Sequence, residues 1–265
     1  MKKERLDEAL VRLQYADTPE LARAIIMEGR VFQNGNRLDK PAILLASDVG
    51  LTVKGDKLPY VSRGGLKLEK AIAAFGLTFE GKTCMDVGSS TGGFTDCMLQ
   101  KGAQKVYAVD VGYGLLDWKL RNDPRVVVME RTNARLLNPE MTGGERMDFA
   151  SMDVSFISIR TVLPAVRTCM KENAHLAVLV KPQFEARREQ VGKGGIVRDP
   201  KVHREVLETV IAAMPAIGLV PQGLTVSPIK GVGGNTEFLL YLTNTELNDA
   251  AFQAERAIED VLRVV

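Results

Sequence analysis

The apolar residues of the first 57 positions recur first with a helical spacing and then with a strand spacing. Leucines lie three or four positions apart between residues 6 and 13, which is the repeat of a helix that buries one face. Thr18 and Pro19 predict the start of a second helix, because threonine caps helix N-termini and proline fits the first helical position. Short apolar runs between 31 and 53, with Asn-Gly at 34–35, predict a hairpin and a further strand. The segment therefore predicts a small α+β domain.

From residue 62 onward, apolar strand-like runs alternate with longer helical stretches. The strand-like runs are 83–87, 105–110, 126–129, 149–153, 176–181, 220–226 and 237–242, and helical stretches include 93–101, 157–172 and 246–263. Such alternation is typical of a parallel sheet with helices on both faces, so we predict a Rossmann-like α/β domain with seven strands. We expect this domain to span 62–265 and to be joined to the first domain (1–57) by a linker at 58–61.

The composition narrows the class of protein without selecting a function. Of the 265 residues, 45% are hydrophobic and 26% are charged, as in soluble globular proteins. A formal net charge of +2 neither requires nor excludes a nucleic acid partner. Three scattered cysteines are too few for a disulfide framework or a zinc site, so we expect no metal. A charged N-terminus and the lack of an apolar run near roughly 18 residues argue against a signal peptide and a membrane span. These features predict a cytoplasmic protein.

The loop after the first strand of the second domain carries the pattern of a cofactor site. It reads acidic-x-Gly-x-x-x-Gly from Asp86, and its glycines would let the backbone approach a ligand in the crevice of a doubly wound sheet. The spacing differs from the Gly-x-Gly-x-x-Gly of dinucleotide sites and is that of S-adenosylmethionine enzymes. The alternative is a turn that only packs a helix on a strand.

Two polar residues further along the chain extend the predicted cofactor site. Asp110 ends the next strand, where a carboxylate would bind ribose hydroxyls. Asn133 follows the third strand and could reach an adenine, although an ordinary polar loop residue is the equal alternative. The predicted cofactor-binding residues are Asp86, Gly88, Ser89, Ser90, Gly92, Gly93, Phe94, Asp110 and Asn133.

Four charged residues lie near the ends of predicted elements. Lys67 begins the helix before the first strand, Asp153 and Lys181 end the fourth and fifth strands, and Glu237 begins a late strand. A charge that closes an apolar strand is costly to bury unless it is paired, and parallel strand ends meet beside the cofactor crevice. We therefore expect the four side chains to come together there, as a catalytic group or as two structural ion pairs.

The N-terminal domain resembles the S4-type RNA-binding domain. The matching residues are Arg5-Leu6-Asp7, Leu10, Ala22-Arg23, Ile25-Ile26, Gly29, Val31 and Asn34-Gly35. In that family two helices present basic side chains to structured RNA, which implies RNA-binding roles for Arg5, Arg12, Arg23 and Arg30. The alternative is a solvated pair of helices whose arginines are paired with Asp7, Glu8, Glu20 and Glu28.

The order Lys67, Asp153, Lys181, Glu237 resembles the Lys-Asp-Lys-Glu tetrad of RNA ribose 2′-O-methyltransferases of the FtsJ/RrmJ type. Four short sequence segments in this domain resemble the TlyA family of rRNA (cytidine-2′-O)-methyltransferases, which are sometimes labelled hemolysins. They are Ser62-Arg63-Gly64-Gly65, 86–93, Lys181-Pro182-Gln183-Phe184-Glu185 and Gly192-Lys193-Gly194-Gly195.

The resemblance implies methyl transfer from S-adenosylmethionine to a ribose hydroxyl of structured ribosomal RNA, free or in a subunit. Lys181 would orient or deprotonate the hydroxyl, since desolvation and a nearby cation such as Lys67 lower a lysine pKa. Asp153 and Glu237 would position the lysines. Further RNA contacts are expected from Arg63, Arg187, Arg188 and Lys193.

Other functions fit these residues less well. Methylation of a base amine usually goes with prolines after the fourth strand, and the run here is Asp153-Val154-Ser155-Phe156. Methylation at pyrimidine carbon 5 needs a cysteine nucleophile, and no cysteine is predicted at a strand end beside the crevice. A non-catalytic RNA-binding or ribosome-assembly factor is the main alternative. A membrane-lytic protein is the third, and the missing membrane segment argues against it.

Overall fold

The computed structural model describes residues 3–13, 15–16, 18–46, 50–54, 59–245 and 252–265. The chain divides into two compact units, Met1–Ser62 and Arg63–Val265. The first residue of the predicted linker 58–61 and part of the predicted last helix, 246–251, lie outside the described residues. Among the described residues, no helix has both the length and the apolar character needed to span a membrane.

The first unit combines two helices with two small antiparallel sheets. Its elements are β1 (Lys3–Arg5), α1 (Leu6–Arg12), α2 (Pro19–Met27), β2 (Val31–Gln33), β3 (Asn36–Leu38), β4 (Leu44–Ala46) and β5 (Thr52–Val53). Thr18 Oγ1 accepts a hydrogen bond from the Leu21 amide at 3.2 Å, so the predicted cap of α2 is confirmed. The predicted hairpin is also confirmed, with Asn34 and Gly35 at φ values of 50° and 80° between paired β2 and β3.

The second unit is built on one seven-stranded sheet. Its strands are β6 (Thr83–Val87), β7 (Lys105–Val109), β8 (Val126–Met129), β9 (Met147–Met152), β10 (Met170–Val180), β11 (Val220–Val226) and β12 (Phe238–Asn244). Their order across the sheet is β11-β12-β10-β9-β6-β7-β8. The five strands β6 to β10 are parallel, and β12 is antiparallel to both of its neighbours. The predicted Rossmann-like fold with seven strands is therefore confirmed, and the structure adds that its last two strands form an antiparallel pair.

Helices complete the second unit. They are α3 (Gly64–Phe75), α4 (Gly93–Gln100), α5 (Trp118–Arg121), α6 (Ile159–Thr168), α7 (Pro182–Glu185), α8 (Pro200–Ile217) and α9 (Ala254–Leu262). The predicted helix 157–172 was wrong at its C-terminal end, because Met170 already pairs with Met147 as the first residue of β10. The apolar side chains of the central strands, such as Val87, Val109 and Val178, are fully buried in the core.

The sheet order decides where the polar strand ends meet. Strand β9 lies between β6 and β10, so the loop that follows β9 has the loops after β6 and β10 on either side. Strand β12 runs antiparallel to β10, with Phe238 opposite Val180, and so begins at the edge where β10 ends. The carboxyl ends of three parallel strands and the start of one antiparallel strand therefore share one edge of the sheet.

A buried carboxylate joins the two helices of the first unit. The side chain of Asp7 is 1% exposed and accepts hydrogen bonds from Arg5 Nε (2.9 Å), Arg5 Nη2 (2.8 Å) and Arg23 Nε (3.0 Å). The hydrogen bonds from Arg5 and Arg23 outweigh the opposing effect of burial and lower the pKa of Asp7 to about 2. Asp7 therefore contributes to the stability of this unit only while it is ionised.

The substitution Asp7→Asn should lower the free energy of unfolding of the first unit by about 1 to 2 kcal/mol at pH 7. The folded-state pKa lies below the unfolded value, so this contribution is present above about pH 4 and is lost as the pH falls towards 2. This change in the free energy of unfolding is measured by urea denaturation of the full chain, monitored by circular dichroism. Trp118 fluorescence reports the unfolding of the second unit separately. Glu20→Gln, at an exposed carboxylate in the first turn of α2, is the control. Equal losses for the two variants would contradict the prediction.

Candidate active site

The four charged residues predicted at element ends form one connected chain of ion pairs. Lys181 Nζ lies 2.6 Å from Asp153 Oδ1, and Lys67 Nζ lies 3.1 Å from Asp153 Oδ2. Lys67 Nζ also lies 2.7 Å from Glu237 Oε2. The two lysines and two carboxylates thus alternate in the order Lys181, Asp153, Lys67, Glu237, with Asp153 shared between the lysines.

Each member of this tetrad is delivered by a different element of the second unit. Lys67 lies in the first turn of α3, Asp153 directly follows β9, and Lys181 directly follows β10. Glu237 directly precedes β12, and the added Cβ of any residue at Gly231 would lie 2.1 Å from Glu237 Oε1. A side chain at 231 would therefore require the Glu237 carboxylate to shift.

Burial makes the mutual neutralisation of these charges essential. Burial lowers the pKa of Lys67, but attraction by Asp153 and Glu237 outweighs it and holds this pKa above the ordinary lysine value. Burial would raise the pKa of Asp153, yet the charges of Lys67 and Lys181 hold it below its usual range. The tetrad is therefore a charge-balanced group in which its neighbours favour the ionised form of Asp153 and the protonated form of Lys67.

The predicted cofactor loop lies directly beside this tetrad. Gly88 has a φ of 83°, and a Cβ at this position would lie 2.7 Å from the carbonyl oxygen of Asp153. Gly92 also has a positive φ, 95°, and begins α4 against the side chains of Leu116 and Leu120. The glycines at both positions permit backbone conformations and close approaches that a side chain would prevent.

Asp86 supports the loop from beneath. Its carboxylate is buried and accepts hydrogen bonds from the Thr95 amide (2.9 Å), Thr95 Oγ1 (2.7 Å) and Ser151 Oγ (3.2 Å). Burial raises the pKa of Asp86 to about 7, which the bonds from Thr95 and Ser151 only partly offset. These contacts join β6 to the first turn of α4 and to β9, so they hold the loop in place. Direct contact of Asp86 with a cofactor stays a prediction.

Asp110, which is predicted to bind ribose hydroxyls, directly follows β7 and is bonded to the glycine loop. One carboxylate oxygen accepts a hydrogen bond from the Ser90 amide at 2.8 Å and the other accepts one from the Gly112 amide at 2.7 Å. Each carboxylate oxygen can accept more than one hydrogen bond, so the oriented group suits a pair of vicinal hydroxyls. Ser90, with a φ of 49°, and Ser89 complete the loop.

Two other residues that are predicted to bind the cofactor, Asn133 and Phe94, have structural settings within their own elements. The Asn133 side-chain oxygen accepts hydrogen bonds from the amide and Nε of Arg135, at 3.1 and 3.4 Å, and so caps a short 3-10 turn. Phe94 is buried in α4, next to Gly93 at the helix start. Contact of either side chain with a cofactor therefore stays a prediction. Among the residues that the structure describes, no cluster of three or more metal-ligand side chains is found.

Comparison with known proteins identifies the family. The FtsJ-like methyltransferase family model matches residues 60–244, and the S4 domain model matches residues 4–48. The 16S/23S rRNA (cytidine-2′-O)-methyltransferase TlyA of Mycobacterium tuberculosis is 44% identical over 98% of this chain and 96% of its own length. The chain belongs to the TlyA family of FtsJ-like methyltransferases.

Other members of the TlyA family agree along nearly the whole chain. YqxC of Bacillus subtilis, which bears the provisional name of an rRNA methyltransferase, is 56% identical over 91% of this chain and 86% of its own. A solved structure of a hemolysin-labelled protein from Streptococcus thermophilus has a TM-score of 0.77 at 46% identity, over 99% of this chain and 97% of that chain. The resemblance predicted from the tetrad, the glycine loop and the S4-type residues is therefore confirmed.

The structure adds residues to this TlyA-type site that the sequence patterns did not single out. Lys181 Nζ donates a hydrogen bond to Ser155 Oγ at 3.0 Å, and the next residue, Phe156, is 90% exposed. The Phe156 ring lies 5.1 Å from that of Phe184. The sequence offers no local signal for these two residues, because Ser155 and Phe156 reach Lys181 and Phe184 only through the fold.

The predicted RNA-binding arginines of the first unit are largely paired with carboxylates. Asp7 holds Arg5 and Arg23, Arg12 is paired with Glu4, and Arg30 lies 3.5 Å from Glu28. Arg5, Arg12 and Arg23 nevertheless keep between 42% and 51% of their side-chain surface exposed. The pairing alternative is thus correct in part, and it leaves guanidinium groups accessible at the surface.

The predicted RNA-binding residues of the second unit lie on its surface. Arg63, Arg187, Arg188 and Lys193 are all exposed. The loop that carries Lys193 is held to the turn before Glu237, because Asn235 accepts a hydrogen bond from the Val197 amide (3.0 Å) and donates one to the Gly195 carbonyl (2.9 Å). Asn235 is a further site residue that its position in the sequence did not reveal.

The substitution Gly88→Ala should weaken S-adenosylmethionine binding at least tenfold and lower stability by about 2 kcal/mol more than Gly114→Ala. Both glycines have positive φ, 83° and 69°, so alanine strains the backbone at each. Only at Gly88 does the new Cβ meet the Asp153 carbonyl, whereas nothing lies within 4 Å at Gly114. Calorimetric titration and thermal unfolding of both variants measure the difference. Equal effects would show that the close approach of loop and tetrad is unimportant.

Proposed function

We propose that this protein transfers a methyl group from S-adenosylmethionine to the 2′-hydroxyl of a ribose, a cytidine by analogy with its named relatives, in ribosomal RNA. The observation that carries the proposal is the alternating Lys181, Asp153, Lys67, Glu237 chain, held against the glycine loop through Gly88. A ribose hydroxyl is a weak nucleophile, so the protein must orient it and assist the loss of its proton.

The residues that would hold the cofactor fit its chemistry. The loop from Gly88 to Gly93 offers a close backbone approach at the start of a helix, and Asp110 offers an oriented carboxylate for ribose hydroxyls. S-adenosylmethionine supplies, when bound, a methyl group on a positively charged sulfur. Asp86 lies under the loop, bonded to Thr95 and Ser151, and supports it without reaching the surface.

The proposed role of Lys181 is to orient the attacking hydroxyl. Its ammonium group forms an ion pair with Asp153 at 2.6 Å and donates a hydrogen bond to Ser155 Oγ at 3.0 Å, so the position of the ammonium group is restricted. An ion-paired ammonium is a donor, which favours orientation of the hydroxyl oxygen and stabilisation of the charge that develops there. Lys67 and Glu237 keep Asp153 in place. With the cofactor bound, the new oxygen–methyl bond would replace its sulfur–methyl bond, S-adenosylhomocysteine would leave as a neutral thioether, and the hydroxyl proton would pass to water.

The surface beside the tetrad suits a nucleotide. The exposed ring of Phe156 directly follows Ser155 and could stack on the base of the target nucleotide. The S4-type arginines Arg5 and Arg23 and the basic loop residues Arg187, Arg188 and Lys193 are proposed to contact RNA phosphates. Structured RNA would thus be bound through its backbone, while the ribose is selected at the tetrad.

The proposed function is tested by mapping ribose methylation on ribosomal RNA from cells with and without the gene. We expect at least one 2′-O-methylated cytidine to disappear in the deletion strain and to return when the wild-type gene is restored. An unchanged ribose methylation pattern, together with no S-adenosylmethionine binding in calorimetry, would instead support the non-catalytic RNA-binding alternative.

The substitution Lys181→Ala should lower methyl transfer about 1,000-fold and leave the dissociation constant for S-adenosylmethionine within about threefold. Lysine 181 lies at the tetrad and not in the glycine loop, so turnover and cofactor binding should separate. Lys171→Ala is the matched control, because Lys171 lies near the start of β10, the strand that Lys181 follows, and forms a 2.7 Å ion pair with Asp148. Single-turnover assays with purified ribosomal subunits measure the rates. Retained turnover in Lys181→Ala would remove this lysine from the proposed role.

A further inference from the structure

Glu185 lies four residues after Lys181, and no role described above uses it. Its side chain is 1% exposed. One carboxylate oxygen accepts a hydrogen bond from the Ile159 amide at 2.7 Å. The other accepts from Ser158 Oγ at 2.6 Å and from Arg160 Nε at 3.3 Å. Because a buried carboxylate is costly unless it is fully paired, three donors indicate an arrangement that the fold maintains.

The three donors all belong to the start of α6. The first amides of a helix have no partner within the helix, and negative charge is stabilised at that end. Ser158 caps α6 by accepting a hydrogen bond from the Arg160 amide at 3.2 Å. Glu185 supplies the charge and the acceptor for Ile159 from a different part of the chain. The start of α6 is thereby joined to the segment that follows Lys181.

The turn at 153–158, between β9 and α6, is under backbone strain. Phe156 has a φ of 63°, a conformation that is rare for a bulky side chain and persists only where the surroundings hold it. At the first end of the turn, Asp153 is held by its ion pairs with the two lysines. At its last end, Ser158 is held by Glu185. The strained residue lies between these two attachments.

The conformation of this turn decides the surroundings of Lys181. Ser155 Oγ accepts the 3.0 Å hydrogen bond from Lys181 Nζ, and the Phe156 ring packs 5.1 Å from that of Phe184. Both contacts join the turn to the same segment that carries Glu185. If the last end of the turn were released, Phe156 could relax to a negative φ, and Ser155 would move with it.

We propose that Glu185 is a positioning residue for methyl transfer, which holds the turn at 153–158 in its strained conformation and so keeps Ser155 on Lys181. This inference rests on the proposed function, because the group that is positioned is the one proposed to orient the hydroxyl. Glu185 acts through Ser158 and Ile159, at the opposite end of the turn from the tetrad.

Loss of the Glu185 carboxylate should separate turnover from cofactor binding. A displacement of about 1 Å at a reacting group can lower a rate about 100-fold, so we expect kcat to fall between tenfold and 100-fold in Glu185→Ala. Glu185→Gln keeps an acceptor for the Ile159 amide and should recover part of this loss. The glycine loop approaches the turn at its first end, where Gly88 lies against Asp153, so the S-adenosylmethionine dissociation constant should stay within about twofold.

The matched control is Glu145→Ala. Glu145 also accepts hydrogen bonds from three groups, Lys105 Nζ (2.7 Å), Tyr107 Oη (2.6 Å) and Thr83 Oγ1 (3.2 Å). It precedes β9, whereas the turn at 153–158 follows β9. Its loss therefore removes a more exposed network with the same number of donors at the other end of the same strand and should leave kcat unchanged.

The experiment measures kcat with ribosomal subunits and, separately, hydrogen–deuterium exchange of residues 153–160 in the protein alone. We expect faster exchange in this segment for Glu185→Ala and not for Glu145→Ala, together with the selective loss of kcat. In the double variant Glu185→Ala, Ser155→Ala, kcat should be no lower than in the worse single variant.

Three results would overturn the inference: unchanged exchange at 153–160 in Glu185→Ala, unchanged kcat in that variant, or an equal loss of kcat in Glu145→Ala. The exchange measurement needs neither RNA nor cofactor. If the wild-type protein methylated no ribosomal RNA, the proposed function would fail, while the exchange result would still decide whether Glu185 holds the turn.

Discussion

The carboxylate of Asp153, shared between Lys67 and Lys181, is the interaction on which the candidate active site depends. Two lysine ammonium groups are buried near each other, which is unfavourable unless a negative charge lies between them. Asp153 fulfils this condition because it directly follows β9. This strand lies between β6, which precedes the glycine loop, and β10, which precedes Lys181. Glu237 balances the remaining charge on Lys67 from the antiparallel strand β12.

The same strand end also brings the cofactor loop and the tetrad together. Gly88 packs against the Asp153 carbonyl. The side chain of Asp153 pairs the two lysines, and its backbone is the surface on which the glycine loop lies. A shift of the β9 end would therefore disturb both features at once. This explains why the loop needs glycine at a position that is far from the tetrad in sequence, and why Asp86 and Ser151 join the two strands underneath.

Charge pairing has a second use in the S4-type unit. Asp7 is buried and fixes the guanidinium groups of Arg5 and Arg23, whose outer surfaces remain exposed. An arginine that is already held loses less conformational freedom when it binds a phosphate. Acidic residues among the basic ones are thus compatible with RNA binding, although they make the net charge of the segment a poor guide to it.

The sequence by itself determined the family, the order of the elements and the identity of the tetrad residues. Apolar spacing predicted the seven strands, and Asn34-Gly35 predicted the hairpin, because these signals are local and depend on backbone geometry. Only the tertiary structure decided which residues share contacts. Ser155, Asn235 and Glu185 were not singled out as site residues, since each acts through partners on another element and an ordinary serine, asparagine or glutamate carries no local signal. The alternation of the tetrad, with Asp153 between the lysines, likewise follows from the position of β9 in the sheet, because chain order does not specify which strands are neighbours.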